Sequence, residues 1–209
     1  LDDEDRDRFV LSKGHGALAL YAALHLKGWL RAADLDGYCG EDSLLGVHPD
    51  HRVSGIDFST GSLGQGLSMG VGAALAARLA GSSRRVFVLL SDAECNAGAV
   101  WEAVMFAAHH RLANLAAIVD VNGQQACGYT RDVIDLAPLA DRWRAFGWSV
   151  HEVDGHDAAA LAAALARQPD AAAPRVVLAA TTFGKGVSFM ERQIGWHYLP
   201  LSPEQYDAA

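Results

Sequence analysis

Four apolar runs that alternate with helical segments constrain the fold of this chain more than any other feature. The runs are RVFVLLS, LAAIVDV, WSVHEV and RVVLAAT, at residues 85–91, 115–121, 148–153 and 175–181. Apolar residues at helical spacing predict helices over residues 17–27, 62–80, 99–111, 136–146 and 158–167. Strands that are apolar almost throughout are typical of a parallel sheet covered on both faces. We therefore predict an α/β fold of three layers, a mostly parallel, twisted sheet with helices on both faces, forming one domain over residues 1–209.

Charge and composition exclude several classes of function. The chain has 17 Lys and Arg against 25 Asp and Glu, so neither a nucleic-acid partner nor a membrane surface is expected. No apolar run reaches the roughly 18 residues that a membrane-spanning helix needs. Cys39, Cys95 and Cys127 are odd in number and far apart, which favours free thiols in a reducing cytoplasm. The acidic N-terminus is unlike a signal peptide, and a first residue other than Met is what a fragment of a longer chain would show.

Polar residues directly follow the predicted strands, at residues 91–98, 122–128 and 181–186. Because right-handed crossovers bring the carboxyl ends of parallel strands to one edge, Asp92 and Asn122 should lie side by side there. A carboxylate and an amide oxygen suit a hard cation such as Mg²⁺ or Ca²⁺. The alternative is that Asp92 only caps the following helix and that Asn122 only makes a turn.

Five sequence blocks carry a resemblance to a known family. They are RFVLSKGHG at residues 8–16, STGSLGQG at 59–66, Ser91-Asp92-Ala93 followed by Asn122, Trp101-Glu102-Ala103, and FGKGVSFME at 183–191 with Gly195-Trp196-His197. Together they resemble the N-terminal, diphosphate-binding half of transketolases, particularly the half-length chains of two-subunit transketolases. The resemblance implies the thiamine-diphosphate-binding fold of the PP domain, with the pyrimidine-binding domain on a separate chain.

The resemblance also implies a set of site residues. Mg²⁺ or Ca²⁺ would be held by Asp92, the Asn122 side chain and the Gln124 carbonyl. The loop after the first apolar run would bind the diphosphate of thiamine diphosphate, since N–H groups at such a loop attract anions. The cofactor contacts implied by the family blocks are the Ala93 and Glu94 N–H groups, the Gly61 carbonyl, Ser62, the apolar wedge Leu63, Asn122, Phe183, Lys185 as a phosphate-binding lysine, His15 and His197.

Three histidines are implied as catalytic, namely His15, His48 and His197. We interpret the remaining histidines as structural or solvated. One alternative is a metal pair formed by His48 and His51, although no third ligand lies nearby in the sequence.

Three departures from the family pattern bear on activity. Ser91 and Ala93 replace the two glycines that flank the motif aspartate, and a methyl group at Ala93 crowds the backbone where the diphosphate would lie. Ala97 stands where the family usually has a glutamate. The chain also begins at Leu1, without the upstream family segment that carries a Gly-His-Pro histidine.

The resemblance implies a transferase that moves a two-carbon ketol unit from a ketose to an aldehyde-type or specialised acceptor. Sugars or sugar phosphates would be the substrates. A partner subunit would supply the glutamate that activates the cofactor, and the assembly would be an α2β2 heterotetramer in which this chain is inactive alone. The alternative is a catalytically weakened, regulatory or structural thiamine-diphosphate-binding paralogue. A more distant alternative, a dinucleotide-binding oxidoreductase, has only the glycines around Gly64 and Gly66 in its favour, and these do not follow a strand.

Overall fold

The computed structural model describes residues 3–166 and 173–209. In chain order, its strands and helices are β1 (Arg8–Leu11), α1 (Ala17–Leu26), α2 (Ala32–Asp36), α3 (Gln65–Leu79), β2 (Val86–Ser91), α4 (Gly98–His109), β3 (Leu115–Val121), β4 (Gln124–Gln125), β5 (Gly128–Tyr129), α5 (Thr130–Val133), α6 (Leu139–Ala145), β6 (Ser149–Asp154), α7 (Ala158–Ala166), β7 (Arg175–Ala180) and α8 (Pro203–Ala208). In this part of the chain, no helix is both long and apolar enough to cross a membrane.

A five-stranded parallel sheet organises the fold, with the strand order β1-β2-β3-β7-β6. The chain leaves β3, forms β6 at the far edge and returns through α7 to place β7 beside β3. The strand order therefore reverses between β3 and β7, and ligands bind at the carboxyl ends of the strands at such a point. A small antiparallel hairpin of β4 and β5 follows β3 at this edge.

Alternate residues of the strands point to two different layers. Val88 and Leu90 of β2 belong to the main core, which also takes side chains from α3, α4 and α6. Leu89 points the other way and shares a cavity wall with Leu161 and Leu165 of α7. Helices thus lie on both faces of the sheet, and the predicted three-layer α/β architecture is confirmed.

A second, smaller core lies beside α1 and supports the loop that carries His48. Tyr21 is fully buried in it, together with Leu24 and Leu45. The Tyr21 hydroxyl lies 3.0 Å from the carbonyl oxygens of both Gly46 and His48. One buried side chain therefore fixes the backbone next to a predicted catalytic histidine.

The predicted strands are confirmed to within one residue at each end, and three other features are corrected. Helix α3 begins at Gln65 and not at residue 62, because its N-cap residue Gly64 has a left-handed backbone that a helix cannot continue through. Strand β1 (Arg8–Leu11) was not predicted, because it is only four residues long and lies at the sheet edge, where Phe9 is 39% exposed. Helix α6 begins at Leu139 and not at residue 136, because Pro138 is its N-cap residue and disfavours helical backbone in the residue before it. Residue 167, the predicted end of α7, lies outside the described residues.

Candidate functional site

A cavity of about 820 Å³ opens at the carboxyl ends of β2, β3 and β7, where the strand order reverses. Its size is that of a site for a cofactor or small molecule. The predicted site residues that line it are His15, Leu63, Ala93, Asn122, Gln124, Phe183 and His197. Lys13, Asp120 and Thr181, which no site prediction included, also line it.

Asp92 lies directly beside the turn that contains Asn122, as the strand-end argument predicted. Its two carboxylate oxygens accept hydrogen bonds from the N–H groups of Ala93 and Gly123, each at 2.8 Å. The side chain is buried, and burial raises its pKa, against the effect of these two hydrogen bonds. Among the described residues no cationic side chain forms an ion pair with Asp92, so its charge is without a close counter-ion.

Asn122 presents its amide group at the same edge. Its Oδ1 accepts a hydrogen bond from the Gln124 N–H at 2.9 Å, and its Nδ2 donates to Asp120 Oδ2 at 3.2 Å. The Gln124 side-chain Oε1 is buried without a hydrogen-bond donor. Since an oxygen buried in this way costs free energy, the cavity wall here is suited to a ligand that donates a hydrogen bond or coordinates oxygen.

Asp120 joins three strand ends. It forms an ion pair of 2.5 Å with Lys13, which follows β1, and it also accepts a hydrogen bond from the hydroxyl of Thr181, which follows β7. Burial opposes ionisation of Asp120, but the Lys13 ammonium and the donated hydrogen bonds outweigh it and hold its pKa below the ordinary value. Asp120 is therefore an anion at neutral pH.

The three predicted catalytic histidines lie in one cluster. The rings of His15 and His197 stack with their centroids 5.3 Å apart, and Phe183 also stacks with His197, with centroids 6.2 Å apart. The His48 ring lies against Gly61, where an added Cβ would be 3.4 Å from it. Burial lowers the pKa of His15, and the charges of Lys13, His197 and His48 lower it further. His15 is therefore neutral at neutral pH and able to accept a proton.

The loop that follows β2 differs from its predicted arrangement. The family resemblance predicts that the N–H groups of Ala93 and Glu94 are unpaired and available to a diphosphate. In the structure the Ala93 N–H donates to Asp92, and the Glu94 N–H donates to the Ser91 hydroxyl at 3.1 Å. The acceptor oxygens of Asp92 and Ser91 lie within reach of these N–H groups in the tight turn. A diphosphate would therefore have to displace both hydrogen bonds.

The Glu94 side chain is buried and forms hydrogen bonds to several segments of the chain. No role was predicted for this side chain. It is 1% exposed and accepts hydrogen bonds from the Ser12 hydroxyl and, at 2.7 Å, from the Gly64 N–H. The Ser91 N–H lies at 3.4 Å from its second oxygen. Burial raises the pKa of Glu94, and the hydrogen bonds only partly offset that rise. Glu94 thereby ties the end of β1 and the start of α3 to the loop after β2.

Other predicted site residues lie at or beyond the rim. Lys185 is 57% exposed, does not line the cavity, and has its ammonium 3.8 Å from Glu191. Gly61 and Ser62 precede Leu63 outside the cavity wall. The predicted alternative of a His48–His51 metal pair finds no support, since the described residues contain no cluster of three His, Cys, Asp or Glu that could hold a metal, and His51 Nδ1 lies 2.9 Å from Ser59 Oγ.

Comparisons with known proteins agree with this architecture. The model of the family described as transketolase, thiamine diphosphate binding domain, matches residues 2–209. A 6-deoxy-6-sulfo-D-fructose transketolase subunit from Clostridium sp. (strain MSTE9) is 44% identical over 98% of this chain and 75% of its own length. An apulose-4-phosphate transketolase subunit from Actinobacillus succinogenes is 40% identical over 100% of this chain and 76% of its own length.

Solved structures show the same fold. The transketolase of Campylobacter jejuni superposes with a TM-score of 0.90 at 31% identity, over 95% of this chain. The match covers 33% of that protein, so the chain spans about a third of the length of the solved transketolase. The chain therefore belongs to the transketolase family, as a thiamine-diphosphate-binding domain of the PP type, and the similarity to named transketolase subunits supports a subunit of transketolase type.

The residues present fit a divalent cation beside the diphosphate of that cofactor. The fit rests on the chemistry of the donor set: Asp92 is buried without an ion-pair partner among the described residues, and the turn whose Gly123 N–H donates to it also carries Asn122 Oδ1. Mg²⁺ takes a few protein oxygens of this kind and completes its shell with waters and phosphate oxygens.

Proposed function

We propose that this chain is the thiamine-diphosphate-binding subunit of a transketolase-type enzyme, transferring a two-carbon ketol unit from a ketose donor to an aldehyde-type or specialised acceptor. Sugars or sugar phosphates are the proposed substrates. The observation that carries the proposal is the buried carboxylate of Asp92, which has no ion-pair partner among the described residues and lies at the end of β2, near a cavity that His15 and His197 line. We propose a single PP-type domain over residues 1–209, acting in the cytoplasm, where the free thiols of Cys39, Cys95 and Cys127 would persist.

In this proposal Asp92, Asn122 Oδ1 and the Gln124 carbonyl hold Mg²⁺ or Ca²⁺. Thiamine diphosphate, when bound, supplies an electron sink for breaking the carbon–carbon bond next to a ketone. Leu63 presents an apolar side chain to the cavity, where it excludes water and orients the cofactor. Gly61, Ser62, Ala93, Glu94, Phe183 and Lys185 remain proposed cofactor contacts, those of Ala93 and Glu94 requiring rearrangement of their loop.

In this proposal the clustered histidines accept and donate protons during the reaction. His15 is neutral at neutral pH because burial lowers its pKa, so it can accept a proton from a substrate hydroxyl and return it later. The His197 ring stacks with both His15 and Phe183, and these contacts restrain its orientation. His48 is fixed through its backbone by Tyr21, and its ring lies beside Gly61.

A second subunit is proposed as the partner, with a pyrimidine-binding domain that supplies the activating glutamate. One support is that two relatives are named as transketolase subunits. Another is a set of exposed apolar side chains: Leu63, which lines the cavity, Met69 on α3, and Met105 and Phe106 on α4, the helix that contacts α3. Exposed apolar side chains on neighbouring elements would suit an interface with another chain. We propose an α2β2 heterotetramer.

A specific observation favours a second candidate function, a catalytically weakened paralogue that still binds the cofactor. The N–H groups of Ala93 and Glu94 are already paired within their loop, and Ala93 carries a methyl group at the predicted diphosphate site.

One experiment tests both candidates. This chain and a pyrimidine-binding partner are assayed separately and together for ketose cleavage with thiamine diphosphate and Mg²⁺, and cofactor binding is measured by calorimetry. Turnover is expected only with both chains present. Asp92→Ala removes the anionic ligand and should weaken metal-dependent cofactor binding by about 100-fold or more. Asp141→Ala, which removes an exposed aspartate from α6, is the matched control and should bind like the wild type.

Each result of this experiment has a definite meaning. Unchanged cofactor affinity in Asp92→Ala would refute the metal site. Turnover by this chain alone would refute the need for a partner. Cofactor binding by the assembled subunits without cleavage of any ketose tested would favour the weakened paralogue.

A further inference from the structure

Asp120 lies two residues before Asn122, and the two side chains are hydrogen-bonded. Asn122 Nδ2 donates to Asp120 Oδ2 at 3.2 Å. The same oxygen accepts from Lys13 Nζ at 2.5 Å, and the Thr181 hydroxyl donates to Oδ1. Donors from the ends of β1 and β7 therefore hold the carboxylate in place, and it in turn faces the amide of Asn122.

An asparagine side chain has two chemically different ends, a carbonyl oxygen that accepts and an NH₂ group that donates. The Asp120 carboxylate only accepts, so the NH₂ end of Asn122 must face it. At the other end, Oδ1 accepts from the Gln124 N–H at 2.9 Å. A flipped amide would place oxygen against carboxylate and NH₂ against N–H, two repulsive contacts in place of two hydrogen bonds. Asp120 and the Gln124 N–H thus select the same orientation.

Orientation decides whether Asn122 can bind a cation, because only its oxygen is a ligand for a hard cation. We propose that Asp120, held by Lys13 and Thr181, is a positioning residue that turns the Asn122 oxygen towards the metal. This inference rests on the proposed function, in which Asn122 is a metal ligand. Lys13 neutralises Asp120, so Asp92 remains the anion that meets the cation.

The alternative role for Asp120 is direct coordination of the metal through its negative charge. The two roles predict different effects of Asp120→Asn on metal binding. The amide introduced by Asp120→Asn could still accept from Lys13 and Asn122 through its oxygen and donate its NH₂ group to the Thr181 hydroxyl. Positioning would survive this substitution, whereas an anionic ligand would be lost.

The test uses the full chain and the Mn²⁺ complex of inorganic diphosphate as the probe, with binding followed by electron paramagnetic resonance and folding checked by thermal unfolding. Asp120→Ala should weaken binding by about 10–100-fold, the usual effect of removing a group that orients a metal ligand. Asp120→Asn should bind within a few-fold of the wild type. Asp141→Ala, which removes an exposed aspartate of α6 that does not line the cavity, is the matched control and should also bind within a few-fold.

A rescue variant separates positioning from general structural damage. In Asp120→Ala/Asn122→Asp, residue 122 is a carboxylate, which offers an oxygen in either orientation, so binding should return towards the wild-type value. Failure of this rescue, wild-type binding by Asp120→Ala, or equal losses in Asp120→Asn and Asp120→Ala would each overturn the inference. Absence of saturable binding by the wild type would instead refute the proposed metal site itself.

Discussion

Gly70 of α3 packs closely against β2, and an alanine there should destabilise the protein. Its Cβ would lie 2.3 Å from Val88 Cγ2, with Leu115 Cδ1 at 3.6 Å, whereas carbon atoms in contact normally lie about 3.5–4.0 Å apart. Val88 is fully buried and β-branched, so it has few other rotamers and no space to enter them. Overpacking costs about 1–3 kcal/mol, and an approach of 2.3 Å to a buried side chain without space to move belongs in the upper part of that range, about 2–3 kcal/mol. The helix propensity gained by replacing glycine offsets about 1 kcal/mol of it. We expect Gly70→Ala to lose about 1–2 kcal/mol of unfolding free energy.

Gly72, two residues further along the same helix, is the matched control. A Cβ added there would have no atom within 4 Å, and the residue is exposed. Gly72→Ala therefore gains only the helix propensity and should stabilise the chain by about 1 kcal/mol. The two variants make the same chemical change in the same helix, so the difference between them measures the contact with Val88.

Urea and thermal unfolding of the isolated chain, followed by circular dichroism, measure both variants. In a chain of this size each kcal/mol should move Tm by about 2–4 °C. We expect the variants to lie on opposite sides of the wild type, separated by about 2–3 kcal/mol. If Gly70→Ala were as stable as Gly72→Ala, the close approach of α3 to β2 would be refuted.

Two further predictions concern the candidate site. Burial raises the pKa of Glu94 in the folded protein above 4.5, its ordinary value. The wild type should therefore lose stability as the pH rises from 4.5 through the pKa of the folded state, and Glu94→Gln should remove this part of the loss. A stability difference between wild type and Glu94→Gln that does not change with pH would contradict this prediction. In the assembled enzyme, alanine at His15, His48 or His197 should lower turnover by about 100-fold or more. His109→Ala, in an exposed part of α4, should change stability instead. Equal kinetic effects at His109 and His15 would refute the distinction between catalytic and structural histidines.

The sequence was sufficient to predict the sheet because its strands are buried on both faces. Such strands are continuous apolar runs, and LAAIVDV became β3 (Leu115–Val121) with the predicted bounds. Strand β1 is not such a run, because only half of its four side chains are buried and Phe9 is exposed. Helix α6 starts three residues later than the apolar spacing around residue 136 predicts, because Pro138 takes the N-cap position.

The same reasoning placed Asp92 beside Asn122, since parallel strands end at one edge of their sheet. It could not find the partners of Asp120, because Lys13 lies 107 residues away and Thr181 lies 61 residues away along the chain. Asp120 also lies within the apolar run LAAIVDV, where a single acidic residue does not form a pattern that would mark it as a site residue. The available clue was its position, as the last inward-facing polar residue before Asn122.

Three carboxylates lie at this edge of the sheet, and their partners assign them different tasks. Glu94 is surrounded by neutral donors, Ser12 and the N–H groups of the backbone, so it joins segments. Asp120 has Lys13 as its counter-ion. Among the described residues Asp92 accepts hydrogen bonds from two backbone N–H groups and has no ion-pair partner, and the neighbouring charge of Asp120 adds to the burial that raises its pKa. A divalent cation at Asp92, as proposed, would relieve both effects and should stabilise this edge of the sheet.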